Sequence, residues 1–253
     1  MKNMFDLTGK KAIVTGGNKS LGLNMTKALC EAGAEVVIFA SSASVHTVAE
    51  EFSAKGFKVK GVQVDLSQKA SIEAGFAKAM EIFDNRIDIL INNAGIQRRN
   101  PCEDFLFEDW QDILNVNLTA IFVLSQLAGR VMIKQGKGKI INLASLLSFF
   151  GGQTVPAYSA SKGGVAQLTK ALSNEWASKG INVNAIAPGY MDTEMNVALV
   201  NNPERNSQIL ARIPAGRWGT PEDLMGAVVF LSSDASNYVS GAIIPVDGGY
   251  LGK

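Results

Sequence analysis

Seven short runs of β-branched and aliphatic residues, separated by longer stretches with helical spacing, constrain this chain more than any other feature. The runs are Lys11–Thr15, Glu35–Ala40, Lys58–Val64, Asp88–Asn92, Lys139–Ala144, Ile181–Ile186 and Ala242–Val246. Helical spacing of apolar residues marks stretches 20–32, 68–83, 103–134 and 155–178 between them. Strands that alternate with helices pair in parallel through right-handed crossovers. Several runs are apolar at every position, as strands covered on both faces are. The pattern predicts an α/β fold: a Rossmann-type doubly wound parallel sheet of about seven strands with helices on both faces. No linker, repeat or low-complexity segment divides it, so residues 1–253 read as one dinucleotide-binding and catalytic domain. Segment 190–218 interrupts the rhythm with polar and small residues before the last helix and strand. A long irregular excursion near strand C-termini predicts a substrate lid.

Bulk properties narrow the function. The 253 residues suffice for one large core, and 47% hydrophobic with 19% charged residues is a globular composition. A formal net charge of +1 gives no electrostatic case for nucleic acid or an anionic membrane as partner. The two cysteines, Cys30 and Cys102, have no disulfide or metal-ligand spacing, and read as a core residue and a loop thiol. The one histidine, His46, sits in a polar stretch and reads as solvated, so no metal site is expected. The N-terminus has no apolar h-region, and no apolar run approaches membrane-spanning length. A cytoplasmic setting is the expectation.

Tyr158 and Lys162 carry the most chemistry. Four residues apart on a helix, they share one face, one turn above the other. An ammonium beside a phenol favours the phenolate, which predicts that Lys162 draws Tyr158 down toward neutral pH as a proton donor and acceptor. Ser145 ends the run that begins at Lys139, and its hydroxyl is placed to hold a substrate oxygen at the same point.

A second constellation surrounds the first strand. Thr15-Gly16-Gly17-Asn18-Lys19-Ser20-Leu21-Gly22 follows it and opens a helix. Glycines let the backbone approach a pyrophosphate, and the helix start offers free N–H groups. The second strand ends in Ala40-Ser41-Ser42 with no carboxylate, so a 2′-phosphate is permitted there, and Lys19 is placed to face one. Asp65 closes the third strand and reads either as an adenine contact or as a turn and capping residue.

Together these segments resemble the short-chain dehydrogenase/reductase family from about Asp6 to Gly249. The carrying residues are Thr15-Gly16 through Gly22, Asn92-Asn93-Ala94-Gly95, Asn117, Ser145, Tyr158-x-x-x-Lys162 and Pro188-Gly189. One departure stands out: the family usually has glycine where this chain has Ser20. The resemblance implies a catalytic tetrad. Tyr158 would be the general acid/base, and Lys162 would lower its pKa and bond the nicotinamide ribose. Ser145 would orient the reacting oxygen, and Asn117 would hold a relay water. It further implies NAD or NADP, with a lean to NAD, bound by Gly16, Asn18, Lys19, Ser20, Leu21, Gly22, Ser41, Asp65 and Leu66. Asn93, Ala94, Gly95, Tyr158, Lys162, Pro188, Gly189, Met191 and Thr193 would complete that set. A homotetramer assembled through the helices at 103–134 and 155–178 is implied as well.

Residues 92–99, 145–152, 174–177 and 212–219 resemble the members that act on sugar acids of the 2-dehydro-3-deoxy-D-gluconate or 2-deoxy-D-gluconate type. Gluconate 5-oxidation, reduction of a 3-oxoacyl carrier protein and a non-catalytic nucleotide-sensing scaffold stay open beside that reading. A sugar-acid substrate carries a carboxylate, for which Arg98, Arg99 and Arg217 are candidate partners.

Overall fold

The computed structural model describes residues 3–253. Seven strands form one parallel sheet: β1 Lys11–Thr15, β2 Glu35–Ala40, β3 Val59–Gln63, β4 Ile89–Asn92, β5 Gly138–Leu143, β6 Ile181–Pro188 and β7 Ile243–Val246. Their spatial order is β3-β2-β1-β4-β5-β6-β7. The chain therefore reverses its direction of travel between β1 and β4, and a crevice opens above their C-terminal ends. Each predicted strand is present, within two residues at either end.

Alternation along the strands builds a core on each face. Ala12 and Val14 of β1 point to the side covered by helices α1 Ser20–Glu31, α2 Ser44–Ala54 and α9 Met225–Ser232. Ile13 points to the other side, against α3 Lys69–Ile82, α5 Ala120–Gln135 and α6 Pro156–Trp176. Neighbouring side chains on a strand face opposite ways, so an unbroken apolar run is what a sheet covered twice requires. Pro156 opens α6 at its first turn, where its missing N–H costs nothing.

The stretch 103–134 departs from expectation. It is not one helix but a 3₁₀ turn at Cys102–Asp104, α4 at Phe107–Leu114, a π turn at Asn115–Thr119 and then α5. Asn117 lies within the π turn and is fully buried. Helical spacing of apolar residues survives one extra residue per turn, which hid the widening from the sequence. The run Phe107–Gln135 is also long and apolar enough to span a membrane, against the sequence expectation. Its α5 portion, however, packs Ala120, Val123, Leu124, Ala128 and Met132 into the core. Cys30 is buried and Cys102 exposed, as read from the sequence, and His46 is exposed on α2.

Segment 190–218 is an excursion closed at its base. Gly219 N–H donates to the Tyr190 carbonyl at 2.9 Å and Asp192 N–H donates to the Gly219 carbonyl at 2.8 Å. Inside it lie two short helices, α7 Val197–Val200 and α8 Pro203–Leu210. Ile209 and Ile213 pack with Leu146 and Tyr250, and Tyr190 meets Trp218 edge-on with ring centres 5.5 Å apart. Trp218 Nε1 donates to Asn206 at 2.8 Å, which makes Trp218 packing within this segment.

Candidate active site

The crevice between β1 and β4 begins with two glycines that tolerate no side chain. Gly16 has φ +64°, in the left-handed region. A Cβ on Gly22 would lie 2.1 Å from the Gly16 carbonyl oxygen and 2.5 Å from Asn93 Nδ2. Thr15 Oγ1 accepts from the Asn93 and Ala94 N–H groups, each at 3.0 Å, and Asn93 Nδ2 donates to the Thr15 carbonyl at 2.9 Å. These bonds fasten the turn after β4 to the turn after β1, and α1 starts just beyond. This cradle fits a pyrophosphate against a helix N-terminus. Ser20 has φ +48°, a conformation that favours glycine, which is the physical reason glycine is usual there.

At the adenosine end, Ser41 and Ser42 are exposed and no carboxylate follows β2. Ser42 and Ser44 share a hydrogen bond at 2.6 Å, and Asn18 donates to Ser44 at 3.1 Å. Lys19 pairs with Glu194 of segment 190–218 at 3.5 Å, both largely exposed. Asp65 Oδ1 accepts from the N–H and hydroxyl of Ser67 at 2.9 and 2.7 Å, which is the turn role foreseen as one of its two readings. Leu66 beside it is buried.

The reactive side chains gather above β5 and β6. Ser145 follows β5 as the N-cap of a 3₁₀ turn, and its Oγ accepts from Leu147 N–H at 3.2 Å. That bond uses an acceptor site of the hydroxyl and leaves its proton to donate. Tyr158 and Lys162 occupy one face of α6, with Lys162 Nζ 5.6 Å from the centre of the Tyr158 ring. Lys162 is almost fully buried, and its ammonium donates to the Leu143 carbonyl. Gly95 leaves the space over these groups open: a Cβ there would lie 3.3 Å from Asn117 Oδ1 and 3.9 Å from Lys162 Nζ.

Electrostatics corrects one expectation. Burial pushes the Tyr158 phenol above its ordinary value, while hydrogen bonding from Ser145 and the positive charge of Arg99 pull it back. The same burial pushes Lys162 down to about 8. Lys162 was expected to be what acidifies the phenol. In this structure burial sets the direction of the shift, and Ser145 and Arg99 oppose it.

Asn117 is anchored through its side-chain amide. Its Oδ1 accepts from Ile96 N–H at 2.8 Å, and its Nδ2 donates to the Ile96 carbonyl at 2.9 Å and to Ser161 at 3.3 Å. The amide is occupied in holding the 95–97 backbone against α6, so both of its donors are taken.

The three candidate arginines separate. Arg99 is exposed and donates to Gln97 Oε1 at 3.5 Å, and its charge favours the Tyr158 phenolate. Arg98 turns to Asp109 at 3.5 Å. Arg217 is held by both oxygens of Asp223, at 2.6 and 2.8 Å, and also donates to the Trp218 carbonyl. A guanidinium whose fork is filled by one carboxylate does not offer that fork to a second, so Arg217 reads as a brace at the base of segment 190–218. Met191 is buried where the lid begins, and Thr193 lies two residues beyond it; Pro188 and Gly189 close β6. Ser148 and Ser161, which bond into this site, went unnoticed in the sequence. A serine three residues after Ser145 was the available signal for a reciprocal cap.

The family model described as enoyl-(acyl carrier protein) reductase matches residues 16–251. The chain is 49% identical over its whole length to the 2-dehydro-3-deoxy-D-gluconate 5-dehydrogenase of Bacillus subtilis, of which it covers 99%. It is 47% identical to the enzyme of the same name from Pseudoalteromonas atlantica, with both chains fully covered. The solved gluconate 5-dehydrogenase of Burkholderia cenocepacia, in complex with NADP and tartrate, superposes with a TM-score of 0.95 at 40% identity, covering 99% of this chain and 98% of that one. With Tyr158, Lys162 and Ser145 gathered over a glycine cradle at the sheet's switch point, and with relatives aligned end to end, the chain belongs to the short-chain dehydrogenase/reductase family of NAD(P)-dependent oxidoreductases.

Proposed function

We propose that this protein transfers a hydride reversibly between a nicotinamide cofactor and a ketone or secondary alcohol of a sugar acid, of the 2-dehydro-3-deoxy-D-gluconate or 2-deoxy-D-gluconate type. The observation that carries the reading is Tyr158 and Lys162 on one face of α6, the ammonium 5.6 Å from the centre of the phenol ring and bonded to the carbonyl of Leu143, two residues before Ser145. The nicotinamide, when bound, supplies or accepts the hydride. In the reducing direction Tyr158 Oη gives its proton to the substrate oxygen as negative charge builds there, and Ser145 Oγ donates to the same oxygen. In the oxidising direction Tyr158 Oη takes that proton. Lys162, charged below about pH 8, compensates the phenolate. Arg99 favours the phenolate by its charge and presents a fork to the substrate carboxylate.

The tartrate bound by the Burkholderia enzyme is itself a hydroxy acid, which supports an acidic substrate. The absence of a carboxylate after β2, with Lys19 held only by an exposed glutamate, supports NADP as well as NAD. Steady-state turnover of a panel of sugar acids and their neutral counterparts, with each nicotinamide, tests the reading. Preference for the acids upholds it. Equal use of neutral sugars removes the carboxylate component.

A further inference from the structure

Ser145 and the Tyr158–Lys162 pair come from different elements, the turn after β5 and helix α6, yet they must address one substrate oxygen. Ser148 joins the two. It ends the 3₁₀ turn Leu146–Ser148 and lies three residues after Ser145. Its Oγ donates to the main-chain carbonyl of Lys162 at 2.7 Å and accepts from the main-chain N–H of Ser145 at 3.3 Å. A hydroxyl has one proton to give and lone pairs to receive, and here the proton goes to one functional residue while a lone pair serves another. Lys162 is consequently held at both ends, its carbonyl by Ser148 and its ammonium by the Leu143 carbonyl. Ser145, extended at φ −165°, is held from both sides of its own residue, its N–H on Ser148 and its Oγ on Leu147 N–H.

We propose that Ser148 is a positioning residue for the hydride-transfer reaction, setting the separation between the Ser145 hydroxyl and the Tyr158–Lys162 face through its two main-chain bonds. This rests on the functional reading above. Ser148 bonds the main chain of Lys162 and of Ser145 and no residue of the glycine turn, so its loss is expected to act mainly on the chemical step. A small displacement of one reacting partner is enough to slow such a step.

The experiment compares Ser148→Ala and Ser148→Thr with the unaltered protein in steady state, using a reduced nicotinamide carrying deuterium at the transferred position. Cofactor affinity by fluorescence and melting temperature are recorded alongside. We expect Ser148→Ala to lower kcat about tenfold, with cofactor affinity and KM nearly unchanged and a larger deuterium isotope effect because chemistry becomes slower. Ser148→Thr, which keeps the hydroxyl, restores most of kcat. An unchanged kcat in the alanine variant overturns the proposal, as does a loss that threonine fails to restore or one matched by weaker cofactor binding. A parallel Tyr158→Phe variant separates the two claims. If it retains turnover, the reading of the site fails. If it is inactive while Ser148→Ala is normal, only the role of Ser148 fails.

Discussion

Arg99 is the residue on which substrate choice and proton chemistry meet. Its charge opposes the burial that raises Tyr158, so removing it leaves the phenol harder to ionise. Arg99→Ala is expected to move the pH profile for alcohol oxidation upward and to raise KM for sugar acids roughly tenfold. A pH–rate series with acidic and neutral substrates checks both parts. Lys162 yields a stability prediction with a definite sign. Its folded pKa of about 8 lies below the free-lysine value of 10.5, so charging it opposes folding. The penalty is complete below about pH 8 and fades as pH rises toward 10.5. Lys162→Met is expected to raise the melting temperature at pH 7 by several degrees, equivalent to at most about 3 kcal/mol, while activity is lost. Melting curves from pH 7 to 10 show the gain shrinking if this holds.

These residues were legible in the sequence to different depths. Tyr158, Lys162 and Ser145 could be named because a helical spacing of four and a strand end fix their faces. Arg99 could be proposed but not separated from Arg98 and Arg217, since only tertiary contacts show that Asp109 and Asp223 engage those two. The direction of the Tyr158 shift was missed because it depends on burial, and burial at a single position is not written in local spacing.

At the scale of elements, the cradle depends on the approach of β1's turn to β4's. Gly22→Ala would drive a methyl group to 2.1 Å from the Gly16 carbonyl, a contact that backbone cannot relieve without moving. It is expected to destabilise the fold by about 1–3 kcal/mol and to weaken cofactor binding at least as much. Calorimetric titration with each nicotinamide, beside thermal melts, measures the two losses separately. Strand boundaries were readable because apolar, β-branched runs are bounded by polar turns. The π turn at Asn115–Thr119 was not, because it arises from Asn117 bonding Ile96 and Ser161 across elements distant in sequence.

The whole molecule presents apolar surface on the face opposite the core side of α5. Phe122 and Ile133 are 46% and 37% exposed on that helix. Helices α5 and α6 are the elements expected to assemble the tetramer, and such exposure suits burial against a second copy. Sedimentation of the wild type is expected to give a tetramer, and Phe122→Glu a smaller species. A monomeric wild type at micromolar concentration would refute the assembly. Segment 190–218 is the other feature of this scale. Its break from the strand–helix rhythm is visible in the sequence, but its aromatic packing and the Tyr190–Gly219 backbone pair at its base needed the fold.

Tyr158 is expected to exchange the proton that accompanies hydride transfer on a sugar acid. Turnover of 2-dehydro-3-deoxy-D-gluconate or 5-ketogluconate, followed through nicotinamide absorbance with wild type and Tyr158→Phe, tests it directly. The wild type is expected to turn over, and the phenylalanine variant to lose roughly 10²–10⁴-fold in kcat with cofactor affinity retained. A phenylalanine variant as fast as the wild type would contradict it.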